Sequence, residues 1–282
     1  MLKLSVVLAT RNEEKNIARC LNSVKDIADE IIVMDENSTD KTREVAKQMG
    51  AKVFLEPHHE VFHITKQKAL EKASGEWILQ MDADEVVTPE LAKEITAVLD
   101  GNHAKVNNSL FLRHQRLIEE RDGAIGKKTG EIVGYFIPRR NIFLGRPLIH
   151  AGVYPDGVIR LVKKGRAKFP QKSVHEQIKL DGEVSWLKNS LDHYDSPTLS
   201  RYLTRLNRYT DLQETSLKEQ NIPKNFWYLC LYTFCKSGYT FMNLYFRHLG
   251  FLDGVQGFLW SFFSAIHFPI AYYKYLTDKN ER

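Results

Sequence analysis

Residues 76–85 read EWILQMDADE, and this stretch is the strongest indicator of the fold class. Its first six residues, Glu76 to Met81, are predicted to form a strand, because four of them are large and apolar. Two aspartates, Asp82 and Asp84, follow that strand directly. A buried strand that ends in a pair of carboxylates predicts a parallel sheet with a ligand site at its carboxyl edge.

The residues on either side of this stretch alternate between strand-like and helix-like segments. Apolar runs at residues 4–9, 30–34 and 52–55 predict three more buried strands. Helical segments are predicted between them, and Thr88-Pro89 opens another helix with proline at its first position. This order predicts an α/β fold, a mainly parallel sheet with helices on both sides.

Polar residues follow three of the predicted strands. They are Thr10, Arg11 and Glu13 after the first, Asp35 after the second, and Asp82 and Asp84 after the fourth. The carboxyl ends of parallel strands share one edge of a sheet, so these side chains should lie together. Two nearby carboxylates repel each other unless a cation is present, and oxygen ligands suit Mg²⁺ or Mn²⁺. An exposed acidic loop is the alternative.

Three sequence blocks resemble those of glycosyltransferase family 2, inverting enzymes with the nucleotide-binding fold called GT-A. The blocks are SVVLATRNEE at residues 5–14, VMDENSTD at residues 33–40 and ASGEWILQMDADE at residues 73–85. The second block is usually V-D-D-G-S-T-D in the family, so Glu36 and Asn37 replace an aspartate and a glycine. The third block ends in the metal-binding D-x-D of the family.

This resemblance implies a nucleotide-sugar donor, with a UDP-sugar favoured, and a divalent cofactor, Mg²⁺ or Mn²⁺. It places Asp84 as the direct metal ligand and Asp82 at the ribose or the metal. The positive charge of residues 64–68 suits the phosphates of such a donor. The predicted donor-binding residues are Thr10, Arg11, Glu13, Asp35, Lys66 and Asp82.

Shorter matches resemble a bacterial subset of the family that includes lipopolysaccharide-core glucosyltransferases. They are DGVIRL at residues 156–161, VHE at 174–176, LDHY at 191–194 and DGVQGF at 253–258. Inverting transfer needs a carboxylate that accepts the proton of the acceptor hydroxyl. We predict Glu176 as this general base and Asp156 as the second candidate. His193 is predicted as a further metal ligand, with a buried hydrogen-bonded histidine as the alternative.

The predicted domains are a GT-A domain over residues 1–197 and a helical region over residues 198–282. The donor half ends at about residue 108, and residues 109–197 form an acceptor half with short strands and loops. Residues 255–273 carry no Asp, Glu, Lys or Arg, but their polar and aromatic residues favour the membrane interface over a span. Arg201, Arg205 and Arg208 share a helical face that suits anionic lipid or a phosphorylated acceptor.

We therefore expect a cytoplasmic protein bound peripherally to the inner membrane, acting on a lipid-linked or lipopolysaccharide acceptor. A helical core or a homo-oligomer interface is the alternative use of these aromatic residues. The odd count of three cysteines fits a reducing compartment. The first apolar segment turns charged too soon for a secretory signal, which also favours the cytoplasm. Residues 113–172 hold fourteen Lys/Arg against five Asp/Glu, but no nucleic-acid module accompanies them, so we expect no nucleic-acid partner.

The sequence also allows two other functions, a zinc peptidase and a non-catalytic carbohydrate-binding protein. HEVFH, residues 59–63, satisfies the H-E-x-x-H pattern of zinc peptidases. Pro57 places this motif in a loop or at a helix start, and no further ligand motif follows it. The second alternative is a non-catalytic carbohydrate-binding relative, which would not hydrolyse a nucleotide sugar.

Overall fold

The computed structural model describes residues 2–103, 106–170 and 177–278. These residues form two compact units. The first unit takes the described residues up to Arg140 together with residues 155–193. The second unit takes residues 141–154 and the described residues from Tyr194 onward. The predicted boundary near residue 197 stays a prediction.

A large sheet has the strand order β3-β2-β1-β4-β8-β6-β12-β5, with β7 and β11 also paired to β6. Its strands are β1 Leu4–Thr10, β2 Glu30–Asp35, β3 Lys52–Leu55, β4 Trp77–Met81, β5 Glu85–Val87, β6 Ile132–Phe143, β7 Arg146–Leu148, β8 Asp156–Lys163, β11 Glu183–Trp186 and β12 Leu191–Ser196. A separate antiparallel pair consists of β9 Ala167–Lys168 and β10 Lys179–Leu180.

The first four strands are parallel, as the alternation of segments predicted. β1 pairs with β2 on one side and with β4 on the other, and β2 also pairs with β3. Every residue of β1, β2 and β4 is buried, which explains why these strands are mostly apolar on both faces. The α/β prediction is confirmed, and the carboxyl ends of β1, β2 and β4 lie at one edge.

Helices in the first unit pack against this sheet. They are α1 Ile17–Val24, α2 Thr42–Gln48, α3 His63–Lys72, α4 Pro89–Leu99 and α5 Ser109–Asp122. Thr88 caps α4 as predicted, since its hydroxyl accepts a hydrogen bond from the Leu91 amide. Ser38 does not cap α2, because α2 begins at Thr42, and the Ser38 amide and hydroxyl donate to Asp35 instead.

The expectation of only short strands and loops after residue 109 is wrong. α5 runs for 14 residues, and β6 for 12. The Asn108 side chain caps α5 by accepting hydrogen bonds from the amides of Leu110 and Phe111. The helix buries only Phe111 and Ile118 on its inner face, so its apolar periodicity is weak.

The second unit is mostly helical. α6 spans Leu199–Glu219, α7 Phe226–Cys230, α8 Ser237–Met242 and α9 Gly254–Thr277. A π-helical turn at Leu231–Lys236 joins α7 to α8, and a second one at Asn243–Arg247 follows α8. A 3₁₀ turn, Gly250–Asp253, precedes α9. Asp253 ties this turn to residues 149–150 by accepting hydrogen bonds from both amides and from the His150 ring.

Within the described residues, no helix by itself has both the length and the apolarity to cross a bilayer. Phe226–Arg247 and Gly250–Thr277 meet that criterion only when taken together, and the chain bends by 72° between them.

Candidate active site

The ends of β1 and β2 are joined by Asp35, a predicted donor-binding residue. Asp35 is fully buried and accepts hydrogen bonds from the amide of Ser38 at 2.8 Å and from its hydroxyl at 2.5 Å. The hydroxyl of Thr10 also donates to it at 3.1 Å. Thr10 and Asp35 are thus brought together, and both hold the loop that follows β2.

Arg11 lies at the exposed rim of the same edge and is held by residues that the sequence did not indicate. Its guanidinium lies 2.8 Å from Nε2 of His58, whose Nδ1 lies 2.7 Å from the buried Glu36 carboxylate. Arginine only donates, so Nε2 accepts and the ring proton is on Nδ1, which donates to Glu36. Glu36, a departure from the family pattern, therefore orients the side chain predicted to lie near the base.

Asp82 is held between two cations. Lys66 Nζ lies 2.6 Å from its Oδ1, and the Arg160 guanidinium lies 2.5 Å from its Oδ2. Burial opposes ionisation of Asp82, but the charges of Arg160 and Lys66 outweigh it and hold the pKa of this carboxyl well below its usual value. Lys66 and Asp82 are thus brought together, and Asp82 is a charged group at neutral pH.

Asp84 and His193 form a second pair, with Asp84 Oδ2 3.5 Å from His193 Nε2. His193 reaches this position because β12 pairs antiparallel with β5, where it lies opposite Glu85. Desolvation raises the pKa of Asp84, but the hydrogen bond from His193 and its charge lower it by more. The net pKa of Asp84 therefore lies below its usual value. The structure thus brings together the two residues predicted as metal ligands, and that role stays a prediction.

This pair fits a divalent cation. Adjacent oxygen or nitrogen ligands of an octahedral Mg²⁺ lie about 3 Å apart, close to the observed separation. A carboxylate with an imidazole is also a ligand set that suits Mn²⁺. The predicted cofactor, Mg²⁺ or Mn²⁺, is thus matched by Asp84 and His193, whereas Asp82 is already engaged by Lys66 and Arg160.

The other predicted site residues that the structure describes have different partners. Glu13 accepts a hydrogen bond from the Asn16 side chain at 2.8 Å, at the approach to α1. Asp156 forms an ion pair with Arg139, whose nearest nitrogen lies 2.6 Å away. Glu176 lies outside the described residues, so its role as general base stays a prediction.

The geometry does not fit the zinc-peptidase alternative. α3 begins at His63, so His59 precedes the helix on which both imidazoles would have to share a face. His59 lies 3.7 Å from Glu56, whereas the ring of His63 packs on Phe169 with centroids 5.0 Å apart.

Arg160 and Glu85 are two further site residues that sequence reasoning did not identify. Arg160 lies on β8 and reaches Gln80, Asp82 and Glu85, all 75 or more positions earlier in the chain. The resemblance of DGVIRL, the stretch that contains Arg160, to a bacterial subset of the family does not indicate a role for Arg160. A buried arginine on a central strand requires carboxylate partners. An arginine flanked by apolar residues in a strand-like stretch is therefore the sequence feature that could have indicated this cluster.

Comparison with known proteins gives the family. A family model for glycosyl transferase family 2 matches residues 5–150, just over half of the 282-residue chain. The chain belongs to glycosyl transferase family 2. It is therefore a glycosyltransferase, as the three sequence blocks predicted.

Similar proteins are found along almost the whole chain. An uncharacterised glycosyltransferase of Rickettsia conorii is 27% identical, covering 99% of this chain and 90% of that protein. The lipopolysaccharide core biosynthesis glycosyltransferase LpsC of Rhizobium meliloti is 26% identical, covering 94% and 91%.

Among solved structures, glucosyl-3-phosphoglycerate synthase from Mycobacterium tuberculosis, in complex with Mn²⁺ and uridine-diphosphate-glucose, is 26% identical. The match has a TM-score of 0.32 and covers 37% of this chain. This chain thus spans 42% of the length of that solved protein.

Proposed function

We propose that this protein transfers a sugar, with inversion, from a nucleotide-diphosphate donor to a hydroxyl of a membrane-linked saccharide. The observation that carries the proposal is the pairing of Asp84 with His193 beside a buried cluster in which Lys66 and Arg160 hold Asp82. A metal pair next to cationic side chains at the carboxyl edge of a parallel sheet suits a diphosphate. A UDP-sugar is the favoured donor.

In this mechanism Asp84 and His193 would hold Mg²⁺ or Mn²⁺. The ion supplies charge neutralisation for the departing diphosphate. Lys66, which lies 2.6 Å from Asp82, would donate to a phosphate oxygen, while Arg160 keeps Asp82 charged and in place. Glu176 would accept the proton of the acceptor hydroxyl, with Asp156 as the second candidate.

The proposed acceptor is a lipid-linked saccharide of lipopolysaccharide core or of another cell-envelope glycan. Similarity to LpsC over 94% of this chain supports that choice. Large side chains on the second unit are also strongly exposed, including Trp227 at 78%, Phe234 at 70% and Tyr239 at 68%. Exposed apolar surface of this kind is typical of a binding face. We propose that it holds the protein on the cytoplasmic side of the inner membrane.

A donor screen tests the central claim. Wild-type protein with Mn²⁺ should show a raised melting temperature with one or more nucleotide sugars, because a ligand that binds only the folded state stabilises it. Asp84→Asn should lose the metal-dependent part of that shift and should lose transfer. Asp181→Asn is the matched control, since Asp181 is an exposed aspartate paired with Lys127 in the same unit. Wild-type turnover in Asp84→Asn would refute the metal assignment.

Vesicle flotation tests the membrane claim. Wild-type protein should float with vesicles that contain anionic lipid, and Trp227→Ser with Phe234→Ser should reduce the floated fraction. Tyr272→Phe is the control, because Tyr272 is fully buried in the second unit. A protein that stays in the bottom fraction with every vesicle composition would contradict peripheral binding.

A further inference from the structure

A cavity of about 270 Å³ opens between two helices of the second unit. The two helices face each other here with residues spaced at helical repeats, so each contributes one stripe of its surface. The stripe from α6 is Tyr202, Arg205, Leu206 and Tyr209, and the stripe from α9 is Trp260, Ser264 and His267. Asp195, from the end of β12, completes the lining.

One wall of this cavity is aromatic and rigidly supported. The rings of Tyr202 and Trp260 lie with their centroids 6.0 Å apart. Both rings also pack on Phe143, at 4.9 Å and 5.5 Å between centroids. Because Phe143 is buried behind them, the two rings keep their positions without a ligand. Such a wall offers a fixed apolar face.

The opposite edge is polar, but its charge is balanced. Arg205 forms an ion pair with Asp195 and lies 3.3 Å from the Ser196 hydroxyl and 3.2 Å from the Tyr209 hydroxyl. An arginine that is already paired with a carboxylate binds a phosphate weakly, since Asp195 would repel the added anion. The pair instead offers donors and acceptors side by side. This edge therefore suits neutral hydroxyl groups, which both donate and accept.

Ser264 and His267 extend this polar edge along α9. Within residues 2–103, 106–170 and 177–278, neither side chain makes a hydrogen bond to another residue. Burial lowers the pKa of His267, and the charge of Lys274 lowers it further. The ring is therefore neutral at neutral pH and can accept one hydrogen bond and donate another.

We infer that this cavity binds one neutral sugar ring of the acceptor, stacked on Trp260 and Tyr202. A pyranose has an apolar face of C–H groups and an edge of hydroxyls, and the cavity matches both. The inference rests on the proposed function, because a transferase that extends a saccharide needs a site for the sugar it extends. It adds the class of ligand and the residues that contact it.

Saturation-transfer NMR tests this directly, since it detects weak contacts between a sugar and protein protons. The probes are methyl glucosides, methyl galactosides and lactose, with inorganic phosphate as a competitor. Wild-type protein should transfer saturation to the ring C–H protons of at least one of these sugars. Ser264→Phe, which fills the cavity, should raise the apparent dissociation constant at least about thirtyfold, the effect of losing a strong anchor.

Matched variants separate this effect from a general loss of fold. Ser264→Ala should bind the sugar more tightly than Ser264→Phe does, because it removes one hydroxyl but leaves the cavity open. Leu212→Ala should retain sugar binding, because Leu212 is an exposed residue of α6 that does not line the cavity. The inference is overturned if no sugar in the panel binds, if Ser264→Phe binds like wild type, or if phosphate displaces the sugar.

A second readout keeps this inference distinct from the proposed function. Slow hydrolysis of a nucleotide sugar by wild-type protein tests donor chemistry alone. Its absence with every donor would contradict the proposed function. Hydrolysis that is equal in wild type and Ser264→Phe, together with lost sugar binding in Ser264→Phe, is the result expected here.

Discussion

Replacing Arg160 by methionine tests whether the buried charge cluster organises the active site. The Arg160 side chain is only 7% exposed, and it lies 2.5 Å from Asp82 and 2.7 Å from Glu85. Burial alone would lower the pKa of its guanidinium, but these two carboxylates raise it. Methionine has a similar length and no charge, so Arg160→Met removes the charge and leaves much of the packing volume.

The size of the effect follows from the partners that remain. Breaking a buried ion pair by removing one partner costs about 3–5 kcal/mol. After Arg160→Met, Lys66 still lies 2.6 Å from Asp82, and Arg139 lies 3.5 Å from Glu85. These cations compensate in part, so we expect a loss near the lower end, roughly 3 kcal/mol in the free energy of unfolding.

The loss should depend on pH. The folded-state pKa of Asp82 is held well below its unfolded value, so its ionised form stabilises the fold above the unfolded pKa. That contribution disappears as the pH falls through the folded pKa. In Arg160→Met, Asp82 loses its main cation and takes up a proton at higher pH than in the wild type. The difference between variant and wild type should therefore be largest near pH 8 and shrink toward pH 5.

Urea unfolding at pH 8, 6.5 and 5 measures this difference. Trp77 and Trp186 are both buried in the first unit, so their fluorescence reports its unfolding. Lys163→Met is the matched control, because Lys163 lies on the same strand but pairs with the half-exposed Glu131. A loss below about 1 kcal/mol at pH 8, or one equal to that of the control, would refute the reasoning.

Three further substitutions have definite expected outcomes. Lys66→Met should raise the KM for the nucleotide sugar about ten- to hundredfold in a steady-state transfer assay, because a charged hydrogen bond contributes ~1.5–3 kcal/mol; an unchanged KM would remove Lys66 from the donor site. Gly157→Ala should destabilise the first unit by about 1–3 kcal/mol in urea unfolding, since the new Cβ would lie 2.2 Å from the Trp186 ring; wild-type stability would show that the ring moves freely. Gly257→Ala should lower the melting temperature of the second unit, because the new Cβ would lie 1.9 Å from a backbone carbonyl oxygen. Gly238→Ala is the control and should not lower it, because no atom lies within 4 Å of its Cβ, and equal melting temperatures of the two variants would contradict this packing argument.

The sequence was sufficient for the parallel part of the sheet and for the placement of Asp84. β1, β2 and β4 are buried on both faces, so apolar residues occupy both sides of each strand and the strands are easy to detect. Their carboxyl ends then follow from topology alone. Local pattern and tertiary position agree here, because each strand is surrounded by the same kind of environment along its whole length.

Side-chain pairing across long chain separations could not be obtained in this way. The helical spacing correctly predicted that Arg201, Arg205 and Arg208 follow one face of a helix, but it gave no partners. In the structure Arg205 pairs with Asp195, which precedes the helix, and this changes the ligand that its face suits. α5 was missed for a related reason, since its few buried residues are recognisable only against the sheet that covers them.

The charge cluster also bears on how the two aspartates of the D-x-D divide their roles. Asp82 and Asp84 are two positions apart after a strand, and a shared cation was the simplest way to relieve their repulsion. Arg160 and Lys66 already supply two positive charges to Asp82, and His193 lies beside Asp84 instead. Asp84 can therefore take a metal without competing with Asp82 for the same ion. Asp82 would then act mainly by fixing Lys66 at the site, so the conservative change Asp82→Asn should weaken donor binding more than metal binding.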